Sequence, residues 1–191
     1  MDQTKISQQI SDHIEVARLL SHKQQINDIA AAIELVIQTM KSGNKVLLFG
    51  NGGSASDAQH IAAEFTGRFV KDRIGLPAIA LTTDTSALTS IGNDYGFERV
   101  FARQVEALSQ PGDLLIGIST SGNSSNVVNG LKAGKLKECK LIGFSGNGGG
   151  LMKPLCDVNI IIDSAITARI QEMHILVGHM VCSAVDDLFD K

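Results

Sequence analysis

Asp113-Leu114-Leu115-Ile116-Gly117-Ile118-Ser119-Thr120-Ser121-Gly122-Asn123-Ser124 is an apolar run that ends in small hydroxyl residues. Asn126-Val127-Val128-Asn129-Gly130-Leu131 follows, with a helical pattern. A strand that ends in such a loop and then opens a helix makes a phosphate site. Free N–H groups at the helix start face the ligand, and the helix dipole favours negative charge there. Ser119, Thr120, Ser121 and Ser124 add hydroxyl donors. No P-loop pattern G-x-x-x-x-G-K-[ST] occurs, which argues against a nucleoside triphosphate and for a sugar phosphate. A Ser/Gly-rich βα loop with no ligand accounts for this stretch equally well when it is taken alone.

Working outward, Ile6, Ile10, Ile14 and Ala17 predict one N-terminal helix. Ile26, Ile29, Ala30, Ile33, Val36, Ile37 and Met40 predict a second, stopped by Gly43. Strands are predicted over 45–49, 77–81, 113–118, 139–144 and 158–162. Helices are predicted over 55–69, in segments up to Leu108, from Ser124 to about Lys137, and over 167–188. Continuous apolar strands alternating with helices indicate an α/β fold, a parallel sheet covered on both faces. One domain over 1–191 is expected, with helices in 1–43 and an αβα core in 44–191. In such sheets ligands bind beyond the carboxyl ends of the strands. Both glycine- and serine-rich loops, 50–54 and 117–124, fall there, which strengthens the phosphate reading.

Composition excludes several classes. A net charge of −3 with no basic run gives no reason to expect nucleic acid. Cys139, Cys156 and Cys182 are odd in number and form no C-x-x-C, so neither a disulfide framework nor a cysteine zinc site is indicated. No 18-residue apolar stretch is present, and the start Met1-Asp2-Gln3-Thr4-Lys5 is too polar for a signal peptide. A reducing cytoplasm is the expected setting.

Several side chains are candidates for chemistry. His60 and Glu64 stand i,i+4 on one helical face, where an imidazole and a carboxylate can meet a common substrate or a divalent metal; a plain surface hydrogen bond is the simpler reading. His179 lies among Val177, Met180 and Val181, as a core histidine would. Eight residues of helix separate Gln171 from His179, a rise of about 12 Å. The two can share an ion only if Gln171 precedes the regular helix or if subunits pool their side chains. Arg68 is a candidate phosphate contact or the partner of a surface acid. Asn93-Asp94-Tyr95-Gly96 reads as a turn, with Asp94 available to a sugar hydroxyl or to its own backbone. Gly146-Asn147-Gly148-Gly149-Gly150 reads as a flexible βα connection.

Phe49-Gly50-Asn51-Gly52-Gly53-Ser54, Asp57-Ala58-Gln59-His60, Glu64, Gly92-Asn93-Asp94, Ser119 to Ser124 and Arg169-Ile170-Gln171-Glu172-x-His174 occur in that order. Together they resemble the bacterial phosphoheptose isomerase family, a branch of the sugar isomerase (SIS) fold, over nearly the whole chain. The resemblance implies a three-layer αβα sandwich with a five-stranded parallel sheet, preceded by N-terminal helices that serve oligomerisation. It implies a homotetramer with sites between subunits, and conversion of D-sedoheptulose 7-phosphate to D-glycero-D-manno-heptose 7-phosphate, the first step toward the heptose of lipopolysaccharide. By position, His60, Glu64, Gln171 and His179 would bind one zinc per subunit. Asn51, Gly52, Gly53, Glu64, Asn93, Asp94, Ser119, Thr120, Ser121, Ser124 and Gln171 would contact substrate. Some members carry an acid just before Arg169; this chain has Ala168.

Aldose–ketose isomerisation moves a proton between C1 and C2 through an enediol, so it needs acid/base groups and stabilisation of oxyanion charge. Glu64 and His179 suit the proton-carrying role. Two rivals stand beside this reading. One is a non-catalytic, protein-binding branch of the same family, expected to lack the acid and the histidine at the Glu64 and His179 positions. The other is an isomerase or regulator for a different sugar phosphate.

Overall fold

The computed structural model describes residues 2–190. Two helices, α1 (Gln3–Leu19) and α2 (Lys23–Lys41), lead into β1 (Val46–Gly50), α3 (Gly53–Thr66), β2 (Ala78–Ala80), α4 (Thr85–Tyr95) and α5 (Val100–Leu108). Then come β3 (Leu114–Ser119), α6 (Ser125–Leu136), β4 (Lys140–Gly146), β5 (Val158–Ile162) and α7 (Thr167–Phe189). All strand pairs within the sheet are parallel, in the order β2-β1-β3-β4-β5.

Alternation along each strand divides the core into two layers, because successive side chains point to opposite faces. Val46, Leu48, Leu114, Ile116, Ile118, Ile142, Phe144, Ile160 and Ile162 face α2, α3 and α7. Leu47, Phe49, Leu115 and Leu141 face α5 and α6. The strands therefore read as unbroken apolar runs while serving two cores, and the three-layer αβα expectation is met. α1 has no buried residue, and its Ile6, Ile10 and Ile14 remain 43–57% exposed.

Three local expectations need correction. The predicted turn at Asn93–Tyr95 is the last turn of α4. Asp84 caps that helix by accepting from Ala87 N at 2.9 Å, and the helix runs on until Gly96; the polar residues are its exposed end. The helix predicted over 55–69 spans Gly53–Thr66, because its last carbonyls turn to a side chain instead of another helical turn. Arg73 donates to Glu64 O at 2.6 Å and Phe65 O at 2.8 Å. The glycine run after β4 is ordered: a 3-10 segment, Asn147–Met152, bonds the neighbouring loop through Met152 N to Gly122 O at 3.1 Å and Leu151 N to Asn123 Oδ1 at 2.9 Å.

Candidate active site

The chain reverses direction across the sheet between β1 and β3, which pair as neighbours. A crevice beyond the carboxyl ends of such strands is where doubly wound sheets take ligands. The two glycine- and serine-rich loops flank it. In the second loop, Ser119 Oγ lies 2.8 Å from Ser124 Oγ and 3.3 Å from Ser121 Oγ. The Ser124 hydroxyl makes no cap bond to α6, and Val127 N in its first turn donates to Asn126 Oδ1 at 2.9 Å. Gly122, at φ +67°, turns this loop so tightly that a Cβ would sit 2.3 Å from Gly149 O. The first loop is tied to the second by a reciprocal amide pair. Asn51 Nδ2 donates to Asn126 Oδ1 and Asn126 Nδ2 donates to Asn51 Oδ1, both at 2.8 Å.

α3 and α7 pack side by side and run in the same direction, so their residues meet in a ladder. At the top, Gln171 lies over Gly53, where a Cβ would overlap its amide, and donates from Nε2 to Asp57 Oδ1 at 3.4 Å. Burial raises the Asp57 pKa, partly offset by the Gln171 hydrogen bond and the nearby His60. Two turns down, a Cβ on Gly178 would lie 2.6 Å from Ile61 Cδ1, so glycine there lets the helices approach. Beside that contact, His60 Nε2 is 2.9 Å from His179 Nε2, with one of the two nitrogens carrying the hydrogen. Glu64 Oε1 is 3.5 Å from His60 Nε2.

Two imidazoles and a carboxylate form a donor set suited to zinc. Among the described residues no three His, Cys, Asp or Glu side chains already surround one ion position. Tetrahedral bonds of about 2.0–2.1 Å hold two nitrogens about 3.4 Å apart, so the 2.9 Å pair would need to open by about half an ångström. Gln171 lies inside the regular helix, about 12 Å of rise above His179. That removes the first of the two ways in which they could share an ion, and leaves the pooling of subunits.

A family profile described as the SIS domain matches residues 13–146. Aliarcobacter butzleri phosphoheptose isomerase is 58% identical over 172 residues, covering 90% of either chain. Among solved structures, the phosphoheptose isomerase of Neisseria gonorrhoeae is 44% identical, with a TM-score of 0.91 over 97% of this chain and 98% of that one. The enzyme from Francisella tularensis is 34% identical, with a TM-score of 0.93 over 98% of this chain and 100% of that one. The chain belongs to the phosphoheptose isomerase family of SIS domains. The SIS match ends before α7, so Gln171 and His179 are covered by the full-length relatives and not by the profile.

In this phosphoheptose isomerase family member, the expected residues fall into separate groups. Asn51, Gly52, Gly53, Ser119, Thr120, Ser121, Ser124 and Gln171 gather around the strand-end crevice. His60, Glu64 and His179 form a second group lower on α3 and α7. Asn93 and Asp94 are exposed at the end of α4 and bonded to each other at 2.7 Å; among the described residues no hydrogen bond joins them to either group. Arg68 lies past the C-terminus of α3, the far end from the glycine- and serine-rich loops, and donates to Val70 O at 2.9 Å. Among the described residues it forms no ion pair with an acid and no hydrogen bond to either glycine- and serine-rich loop. Residue patterns alone do not single out Asn126 or Phe69, whose ring stacks on His179 with centroids 5.2 Å apart. Asp57 carried a signal, standing three residues before His60 on the same helical face.

Proposed function

We propose that this chain is an aldose–ketose isomerase that converts D-sedoheptulose 7-phosphate to D-glycero-D-manno-heptose 7-phosphate, opening the route to the heptose of lipopolysaccharide. The observation that carries the reading is the His60–His179–Glu64 group on two parallel helices that begin at a hydroxyl-lined phosphate crevice. The Ser119, Ser121 and Ser124 hydroxyls and the α6 N-terminus hold the phosphate. Glu64 and His179 carry the proton between C1 and C2 and their oxygens, through the enediol. A zinc ion held by His60, Glu64 and His179 would polarise the two substrate oxygens.

The two residue groups support a site pooled from copies of the chain. From Gly53 to Glu64 is eleven residues of helix, a rise of about 16 Å. Seven bonds of about 1.5 Å join C2 of the sugar to phosphorus, a contour of at most about 11 Å. We read one copy's phosphate crevice as paired with another copy's Glu64 and His179, with Gln171 of that first copy completing the zinc set. The apolar groove between α1, α2 and α7, about 410 Å³ and lined by Leu20, Ile26, Ile29, Ile33, Leu176 and Met180, is the surface the tetramer would cover. The three cysteines are free, as a reducing cytoplasm allows, and no helix among the described residues is long and apolar enough to cross a membrane.

The test is a panel of pentose, hexose and heptose phosphates offered to the parent protein, to Glu64→Gln and to His179→Gln, with light scattering on each. Turnover of the heptose phosphate alone, lost in both variants while a tetramer of normal melting behaviour remains, is the expected result. Preference for another sugar phosphate would reassign the substrate. Full turnover in His179→Gln would return that residue to a packing role, and a monomer would remove the pooled site.

A further inference from the structure

The segment that leaves α3 is fastened to α7 by a buried charge pair. Asp186 Oδ2 accepts from Val70 N at 2.7 Å and Lys71 N at 2.8 Å, and its Oδ1 accepts from Arg73 Nε at 2.8 Å. The Arg73 and Asp186 side chains are 0% and 2% exposed. Three of the four remaining Arg73 N–H groups go to Glu64 O, Phe65 O and Ile74 O at 2.6–2.8 Å, so the pair is also tied to backbone carbonyls. A buried network with this many bonds fixes one geometry for the groups it joins. Here it pins the two amides that directly follow Phe69.

The pinned segment lays the Phe69 ring on His179, with centroids 5.2 Å apart and planes 28° apart. His60 meets the same imidazole edge-on, at 5.2 Å and 68°. His179 makes its hydrogen bond to His60 at 2.9 Å and is only half-buried. A half-buried imidazole turns about its Cβ–Cγ bond unless its faces are held, and that rotation decides where Nε2 points. Phe69 covers one face. We propose that Phe69 is a positioning residue for the reaction: its ring holds the His179 imidazole in the plane that aims Nε2 toward His60 and the substrate. The inference rests on the reading of His179 as a proton carrier.

The discriminating comparison is between an aliphatic side chain and a second flat ring. Phe69→Leu and Phe69→Met keep an apolar side chain in the same place; Phe69→Tyr keeps the ring. In the protein as purified, either aliphatic variant should lower kcat about three- to tenfold, the worth of one aromatic pairing. KM should stay near that of the parent, because the phosphate crevice is untouched, and each variant should remain folded. Phe69→Tyr should restore kcat. As a readout independent of turnover, the His179 ring-proton NMR signals, assigned by their loss in His179→Gln, should move downfield when the phenyl ring above them is removed, and return in Phe69→Tyr. Equal kcat in all three variants overturns the proposal, as does a loss that Phe69→Tyr fails to restore or a His179 signal unmoved by the aliphatic changes. His179→Gln separates the two levels of the argument. If it keeps full turnover, the role of His179 itself fails; if it is inactive while Phe69→Leu is unaffected, only the positioning role fails.

Discussion

Lowering the pH from 7 to 5 should destabilise this protein through one residue remote from solvent. His174 is 0% exposed, packs its ring against Phe144 with centroids 5.8 Å apart, and donates from Nε2 to Ser145 O at 3.1 Å. Among the described residues its Nδ1 has no hydrogen-bond partner. Burial pulls the imidazole pKa down to about 4 from 6.5, against a smaller opposing effect of the Ser145 carbonyl. Between these values the unfolded chain takes up a proton that the folded chain refuses. The stability from the neutral buried ring is thus complete above about pH 6.5 and is lost as the pH falls toward 4. One pKa unit is worth about 1.4 kcal/mol, so the loss approaches about 3 kcal/mol by pH 4 and is about 2 kcal/mol between pH 7 and pH 5. Urea unfolding at fixed subunit concentration, in steps from pH 7 to pH 5, measures it. His174→Gln retains an N–H for Ser145 O but cannot titrate; its stability should fall by about 2 kcal/mol less than the parent's over that range. Every other group is common to the two proteins and cancels in the difference. Parallel pH slopes would refute the reasoning, since burial of His174 would then impose no proton-linked cost.

Three further outcomes follow from the contacts described. Ser121→Ala and Ser124→Ala should each raise KM about 10- to 100-fold through loss of a hydrogen bond to a charged phosphate, about 1.5–3 kcal/mol, with unchanged melting curves; an unchanged KM in both places the phosphate elsewhere. Gly178→Ala should force α7 off α3 at Ile61, costing about 1–3 kcal/mol of stability and most of the turnover, and Ile61→Val in the same chain should recover part of both; parental kinetics in Gly178→Ala would show that the close approach does not set the His60–His179 spacing. Asp186→Asn should cost about 3–5 kcal/mol in urea unfolding, because it leaves the buried Arg73 charge unpaired. Burial raises the Asp186 pKa but the Val70 and Lys71 amides and Arg73 outweigh it and hold the carboxyl below 3.8, so the parent's excess stability over the variant should be complete above that pH and shrink below it.

The layered fold was legible because each strand carries its own instruction. Leu114 to Ile118 is apolar without a break, and only a strand buried on both faces uses such a run. The strand-end crevice was legible for a similar reason: the Ser119–Ser124 loop joins a strand to the helix it opens, so its neighbours in sequence are its neighbours in space. His60 and Glu64 were readable as a pair from their i,i+4 spacing, which a helix converts into proximity at 3.5 Å. Helical rise alone also puts Gln171 and His179 of one chain about 12 Å apart along α7.

What the sequence did not determine lies across helices and loops that are far apart along the chain. Nothing local sets α3 and α7 in the same direction; their ladder depends on the sheet order and on a glycine at 178 facing Ile61. Asn126 and Asn51, 75 residues apart, become one amide pair only when β1 and β3 are neighbours. The turn read at Asn93 was really a helix end, because a cap at Asp84 and the backbone bonds that follow it outweigh the turn preference of Asn and Asp. Phe69 meets His179 because a buried pair between Arg73 and Asp186 folds the end of one helix back onto another. Short-range patterns follow from the covalent geometry of the chain and can be read in order. Packing between distant segments is chosen by the collapse of the whole core, and so is decided only in the tertiary structure.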